Sequence, residues 1–276
     1  MNAQLHPTRG YLGGGNIAGV LGVSPFKTAL DEYLLITNEK QDEETPEKQR
    51  FFSRRKALEP FAAECFEQVT GMRIVRRNER YQDKEFWWAR AELDFETEDG
   101  ASGECKTVHP NAVRDWGDPD AGEEPPIYVT AQVMWGLGVT GRSHAYVHAL
   151  IGLDDDRVYR IERDEPTIAE IRRRAADFWR WHIETRRPPQ PTNAADVLKL
   201  YERDSGRAVE ADESIRDALT DLVRVRSQQD LLQAQREAAE FRIKAFMRDA
   251  TTLTVAAKPV ASWKARTDGV RVFRIR

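Results

Sequence analysis

Asp94-Phe-Glu-Thr-Glu-Asp-Gly-Ala-Ser-Gly-Glu104-Cys-Lys106 is the stretch on which the reading of this chain turns. Glu98-Asp99-Gly100 has the composition of a three-residue hairpin loop, a type I turn with Gly100 in the left-handed position. Such a loop makes Thr97 and Ala101 neighbours and sets Asp94 opposite Glu104, and opposed residues share a face. Side chains alternate along a strand, so Lys106 joins Glu104 while Cys105 turns away. Two carboxylates and a lysine on one face of a rigid sheet edge make a platform for a hard metal ion, with a cation beside it. Metal-assisted cleavage of a phosphodiester needs that set. The competing reading is a solvent-facing acidic hairpin with an ordinary cross-strand Glu–Lys pair.

The rest of the composition sets bounds. The 276 residues can fill a full-sized core with room for an appended element, and 40% hydrophobic with 32% charged is the balance of a soluble protein. No apolar run approaches membrane-spanning length, and Met1 to Arg9 lacks an apolar signal core. Cys65 and Cys105 are too few for a disulfide framework or a cysteine-based metal cluster, so a reducing cytoplasm is expected. The net charge of −4 weighs against nucleic acid, but a metal-dependent nuclease concentrates carboxylates that bound cations offset. Basic segments occur at Arg54-Arg55-Lys56, at Arg73 with Arg76-Arg77, and at Arg172-Arg173-Arg174. Taken alone, each reads as a solvated face or loop.

Outward from the hairpin, a glycine turn (Gly13-Gly14-Gly15-Asn16) leads into a helical pattern ending at Leu21. Thr28 can cap a second helix with Leu30, Tyr33, Leu34 and Leu35 inward. Glu39 to Lys48 reads as a charged loop. Arg50 to Thr70 is helical, with Phe51, Leu58, Phe61, Ala62, Cys65, Phe66 and Val69 inward and Gly71 as its stop. Strands are expected around Arg73 to Arg77, Phe86 to Phe95, Gly103 to Val108, His144 to Ile151 and Arg157 to Ile161. Residues 109–125 read as a long loop, and Tyr128 to Val139 as a helix. Asp164-Glu165-Pro166 opens a helix running to Arg187, with Ile168, Ile171, Ala175, Phe178, Trp179 and Ile183 inward. Pro188-Pro189-Gln190-Pro191 marks a boundary, dividing a domain over 1–190 from an extension over 191–276. In the extension, Ile215, Ala218, Leu222, Val225, Leu232, Ala239, Ile243, Phe246 and Ala250 recur at coiled-coil steps, interrupted by Gln229 and Arg236. That seam serves self-association or packing on the core. Two short β-prone runs around Thr267-Asp268-Gly269 follow, basic and partly aromatic.

The ordered set of motifs resembles the YqaJ-type viral recombinase family, the lambda-exonuclease-like branch of the PD-(D/E)XK nucleases. The resemblance runs from about Arg9 to Pro189. It includes Gly13 to Ala18 with Gly22-Val-Ser24-Pro25-Phe26-Lys27-Thr28, then Ala57-Leu58-Glu59-Pro60 with Glu64 and Thr70-Gly71. Ala91-Glu-Leu-Asp94 and Gly103-Glu104-Cys105-Lys106 fall on the catalytic strands, Pro126-Ile-Tyr128-Val-Thr-Ala-Gln132 on the family's helix that carries a tyrosine and a glutamine, and Arg163-Asp164-Glu165 with Phe178-Trp179 on the closing elements.

This resemblance implies Asp94 and Glu104 as metal ligands, Glu59 as an additional helix carboxylate, Lys106 as the catalytic lysine and Gln132 as its positioner. It implies Mg²⁺, with Mn²⁺ as a substitute. The glycine turn, with Arg9, Gly14, Gly15, Asn16 and Tyr128, would hold the 5′-phosphate of a DNA end; a helix start with free N–H groups suits an anion. Gly15 replaces the usual serine here, Asn16 an acidic residue, and Glu92-Leu93 the usual Ser-Pro before the aspartate. The expected fold is α/β: a restriction-endonuclease-like mixed sheet flanked by helices, with a long C-terminal helix and a small hairpin. The expected activity is exonuclease action on double-stranded DNA ends, 5′ to 3′, in recombination. A single-strand annealing protein is the expected partner, and a homo-trimer the family's assembly. A structure- or sequence-specific endonuclease and a silent DNA-binding adaptor are the alternatives.

Overall fold

The computed structural model describes residues 10–39 and 45–276, in two compact units that divide between Arg203 and Asp204. The first unit is built on a five-stranded mixed sheet of order β1-β2-β3-β4-β5. β1 (Ile74–Gln82), β2 (Arg90–Thr97) and β3 (Ser102–Val108) form an antiparallel meander. The hairpin loop closes as its composition requires. Gly100 has φ 86°, and the Thr97 N–H reaches Ala101 O at 3.2 Å. The chain then leaves through α4 (Ile127–Thr140) and returns as β4 (His144–Ile151), parallel to β3, before β5 (Asp155–Glu162) completes the sheet. A parallel return needs a long crossover, and the helix supplies it. β3 is therefore the middle strand and not the expected sheet edge. Glu104 and Lys106 sit beside Val147 and Ala149 of β4, a strand buried along its whole length.

Helices cover both faces, so β4 is buried on both sides. On one side α4 lies against the sheet. α1 (Gly14–Val20), α2 (Ala29–Thr37) and α5 (Glu165–Phe178) build the larger core there, around Ile17, Leu30, Tyr33, Trp135 and Ile168. Trp88 stacks between Phe86 and Trp179, at 4.9 Å from each ring. On the other side α3 (Pro46–Thr70) closes a smaller core of Phe66, Phe95, Ala101 and Tyr146. Gly103 makes that closure possible, because a Cβ there would lie 2.1 Å from the Phe95 ring. Gly103→Ala is expected to cost about 3 kcal/mol, the upper range of overpacking. Urea unfolding of the variant reads it directly.

Several expected details shift. α3 starts at Pro46 with Thr45 as its cap, so the end of the expected charged loop is helical. Phe51, Phe61 and Val69 are exposed, whereas Ala62 and Phe66 are buried as expected, together with Ala63. Residues 109–125 contain two short 3-10 turns. α5 ends at Phe178 and passes into a π turn over Trp179–Glu184. Beyond the proline run, α6 (Ala194–Leu200) still belongs to the first unit. Its buried Asp196 accepts from Thr28 Oγ1 at 3.0 Å, and Lys199 donates to Asp31 at 2.6 Å. The two units thus part later in the chain than the prolines suggest.

The second unit holds α7 (Glu213–Met247) and a three-stranded sheet of β6 (Thr252–Val255), β7 (Lys258–Ala265) and β8 (Arg271–Ile275). The expected hairpin around Gly269 gains a third strand through a turn at Ala256-Ala257, both with positive φ. Tight hairpin turns of that kind favour Asn and Gly, so Ala-Ala gives no signal for it. Along α7 the seam residues Ile215, Leu222, Val225, Leu232 and Phe246 are exposed.

Candidate active site

Three side chains close a triangle on the face of β3 that looks toward α4. Lys106 Nζ lies 2.5 Å from Glu104 Oε1 and 2.8 Å from Gln132 Oε1, while Gln132 Nε2 donates to the same Glu104 oxygen at 2.7 Å. Two-residue spacing on a strand brings Glu104 and Lys106 together. α4 brings Gln132, and its place is fixed one turn further on, where Trp135 Nε1 donates to Arg90 O at 2.8 Å. Gly14 completes the seat: a Cβ there would lie 3.0 Å from Gln132 Cγ, so the glycine turn lets α1 approach the glutamine closely. Burial works against the Lys106 ammonium, but the charges of Glu104 and Asp94 outweigh it and raise its pKa. Lys106 is a cation in this setting.

Asp94 sits where the strands part. The β2–β3 ladder runs through Phe95–Gly103 and stops one rung short of the expected Asp94–Glu104 pair. The Cys105 N–H donates to Asp94 Oδ2 at 2.7 Å instead. Asp94 thereby lines a cleft of about 430 Å³ together with Cys105, Glu59, Lys56, Arg77 and Arg80. Cys105 was expected to turn away from Asp94 and shares this cleft with it. Burial first, then the negative charge of Glu104, push Asp94 up to about 8 against the Cys105 N–H and Lys106. Glu59 is also raised, by burial and by Glu104, with Lys56 opposing. Glu59 reaches the cleft from the middle of α3, just before Pro60. Proline has no N–H for the Lys56 carbonyl one turn back, which loosens the helix at that point.

The YqaJ-like viral recombinase domain matches this chain over residues 5–143, half of its length and nearly all of the residues above. The chain belongs to the YqaJ-like viral recombinase family. It is 27% identical over 247 residues to the uncharacterized protein YqaJ of Bacillus subtilis (strain 168), covering 87% of this chain and 76% of that one. Its fold is similar to that of an alkaline exonuclease, LHK-Exo from Laribacter hongkongensis. The TM-score is 0.50 at 19% identity, over 62% of this chain and 87% of the other. A phage related exonuclease from Haemophilus somnus 129PT aligns at a TM-score of 0.47 and 12% identity, over 63% and 96% of the two chains.

The donor chemistry of this site fits a hard divalent cation: Asp94, Glu104 and Glu59 offer oxygen ligands, and the charge of Glu104 raises the proton affinity of Asp94 and Glu59. Among the described residues, Asp94 Oδ1 and Glu104 Oε2 accept no hydrogen bond from the protein. Among the same residues, no group of three or more His, Cys, Asp or Glu side chains converges closely enough to hold an ion. The geometry explains why. Glu104 is drawn toward α4 by Lys106 and Gln132, while Asp94 and Glu59 look into the cleft beside α3.

The expected phosphate turn divides. Gly15 faces open space, and Gly14 is used against Gln132. Asn16 is buried; its Oδ1 accepts from the Gly13 N–H at 3.1 Å and its Nδ2 donates to Glu32 at 2.7 Å. That side chain is engaged inside the protein and does not face outward to a phosphate. Arg9 lies outside the described residues. Tyr128 packs edge-on against exposed Phe26 at 5.5 Å, and burial raises its hydroxyl against the charge of Lys106. His109 caps a 3-10 turn through Nδ1. Arg55, read from the sequence only as part of a basic solvated segment, donates to Thr107 O at 2.5 Å and Thr107 Oγ1 at 2.9 Å, one residue past Lys106. Its signal was the spacing to Glu59, four residues on, which puts both on one face of α3.

Proposed function

We propose that this recombinase-family chain is a divalent-metal-dependent deoxyribonuclease that degrades one strand of duplex DNA from its ends, 5′ to 3′, in phage-type recombination or end processing. The Glu104–Lys106–Gln132 triangle beside Asp94 carries this reading. Mg²⁺, with Mn²⁺ as a substitute, would be held by Asp94 and Glu104, with Glu59 across the cleft. When bound, such an ion polarises a phosphoryl oxygen and lowers the pKa of a water. The chain's own groups do the rest. An ammonium has three N–H donors, and two of those on Lys106 are taken by Glu104 and Gln132. The third is left for the attacking water or a non-bridging phosphoryl oxygen, where the positive charge stabilises the charge that develops in the transition state. Gln132 holds the lysine and the glutamate in register and so fixes where that N–H points. Asp94 Oδ1 and Glu104 Oε2, which accept no hydrogen bond from the described residues, are the oxygens left for the ion.

The same reading takes double-stranded DNA ends as substrate, a single-strand annealing protein as partner, a homo-trimer as assembly and the cytoplasm as compartment. Among the described residues, no helix is long and apolar enough to cross a membrane. Digestion of linear duplex with 5′-phosphate or 5′-hydroxyl ends, beside covalently closed circles, tests it in Mg²⁺ and in EDTA. The expected result is loss of one strand of the linear DNA in Mg²⁺ only, with circles intact. Cut circles would point to an endonuclease. Binding without cleavage of either substrate would point to a silent adaptor.

A further inference from the structure

The second unit carries a charged sheet face that the catalytic reading leaves unused. Residues 248–276 contain seven arginines and lysines against Asp249 and Asp268, in a chain whose net charge is −4. The register sorts them. Ala261 pairs with Ile275 and Trp263 with Phe273 on one side of the sheet, whereas Ser262 pairs with Arg274 and Lys264 with Val272 on the other. The first side is the inner one. Ala261 is buried, and Lys244 of α7 lies over the Phe273 ring at 5.3 Å. Arg271 belongs to this inner side. Its guanidinium stacks 3.7 Å from the Trp263 ring and donates to the carbonyls of Arg248 and Ala250, so it ties the sheet to the end of the helix.

The outer side keeps Lys264, Arg274 and Arg276, all exposed, with the hydroxyls of Ser262 and Thr252 between them. Lys258 pairs with Val255 beyond a bulge and so falls on the other side. Among the described residues, none of the three outer side chains has an ion pair; Asp268 lies at the far turn, 3.7 Å from Arg266. Like charges gathered on one face of a sheet repel, and a polyanion laid across them offsets that repulsion. Both aromatic rings, Trp263 and Phe273, point inward, so the outer face offers no platform on which bases could stack. It offers cations and hydroxyls, the donors that contact phosphate oxygens and sugars without reading sequence.

We propose that the outer face of the β6–β7–β8 sheet binds the phosphate backbone of DNA without sequence preference. The chain then holds its substrate through a surface separate from the catalytic residues. This rests on the nuclease reading only for the choice of DNA as the polyanion. Duplex is favoured over single strands, because its charge density is higher and no stacking compensates.

The test is fluorescence anisotropy of the full chain with a labelled 30-mer duplex in EDTA, over a salt series, beside anionic phosphatidylglycerol vesicles. A triple variant (Lys264→Thr, Arg274→Thr, Arg276→Thr) should bind at least tenfold more weakly at about 100 mM salt. Its slope of log affinity against log salt should be shallower by roughly 2–3, close to one for each phosphate that is no longer neutralised. A charge-keeping variant (Lys264→Arg with Arg274→Lys) should retain both affinity and slope, which separates charge from folding. Unchanged affinity and slope in the triple variant would overturn the proposal. So would a loss confined to the vesicles. Cleavage is scored separately in Mg²⁺: a chain that binds in this salt-dependent way and never cleaves DNA leaves the sheet proposal standing and defeats the nuclease reading.

Discussion

Lys106→Ala should slow single-turnover cleavage of linear duplex by roughly 10²–10³-fold, about 3–4 kcal/mol, while binding in EDTA changes by less than tenfold. The size follows from where the charge sits. Lys106 is the shared member of the triangle, 2.5 Å from Glu104 and 2.8 Å from Gln132, and Glu104 and Asp94 keep it protonated. A cation held in advance beside the reacting phosphate costs no reorganisation when charge develops. Alanine also removes the donor that restrains Glu104, leaving only the Gln132 amide at that oxygen. Lys106→Arg should not restore the rate, because a planar fork cannot occupy the place of a compact ammonium between two acceptors. Gln132→Ala should cost less, on the order of tenfold, since it loosens the lysine without removing its charge. Equal losses of binding and cleavage in Lys106→Ala would place the lysine on the substrate backbone and away from the transition state.

Much of this site was legible because strand periodicity and turn chemistry act locally. Gly100 fixed the loop, the loop fixed the pairing of Thr97 with Ala101, and two-residue spacing joined Glu104 to Lys106. The position of β3 inside the sheet was not legible, because parallel pairing with β4 arises across a crossover that leaves no local mark. Asp94 was assigned to a ladder rung from the same local rules. At that residue the strands separate, and its side chain takes the N–H that a backbone carbonyl would have taken. Two further features needed tertiary contacts. Asn16 looked like part of a phosphate turn until Glu32 engaged it from α2, and so did Gly14 until Gln132 filled the space above it. In the second unit, alternation alone placed the arginines on a sheet. Only the register separates Arg271, stacked on Trp263, from Arg274 on the outer face.

Divalent cations should stabilise this protein more as pH rises, and Asp94 is the reason. Its carboxyl is displaced from an ordinary value of 3.8 to about 8 by burial and by Glu104. Between those two values the folded chain holds a proton that the unfolded chain has released. Stability then falls as pH rises through the window, and the contribution is level below about 4 and above about 8. This sign is opposite to that of a salt-bridged carboxylate. In EDTA, the melting temperature should therefore decline from pH 5 to pH 8.5 through this group. Asp94→Asn should remove the decline and stabilise the metal-free protein at pH 8.5 by at least roughly 1 kcal/mol, about 2–4 °C. A cation competes with the same proton, so the shift produced by millimolar Mg²⁺ should be small at pH 6 and large at pH 8.5. That shift should vanish in Asp94→Asn. The paired measurement separates two roles of one residue, because the same substitution raises metal-free stability and removes the response to metal. If wild type in EDTA holds its melting temperature from pH 5 to 8.5, and Mg²⁺ shifts both proteins equally, Asp94 is neither the strained carboxylate nor the ligand.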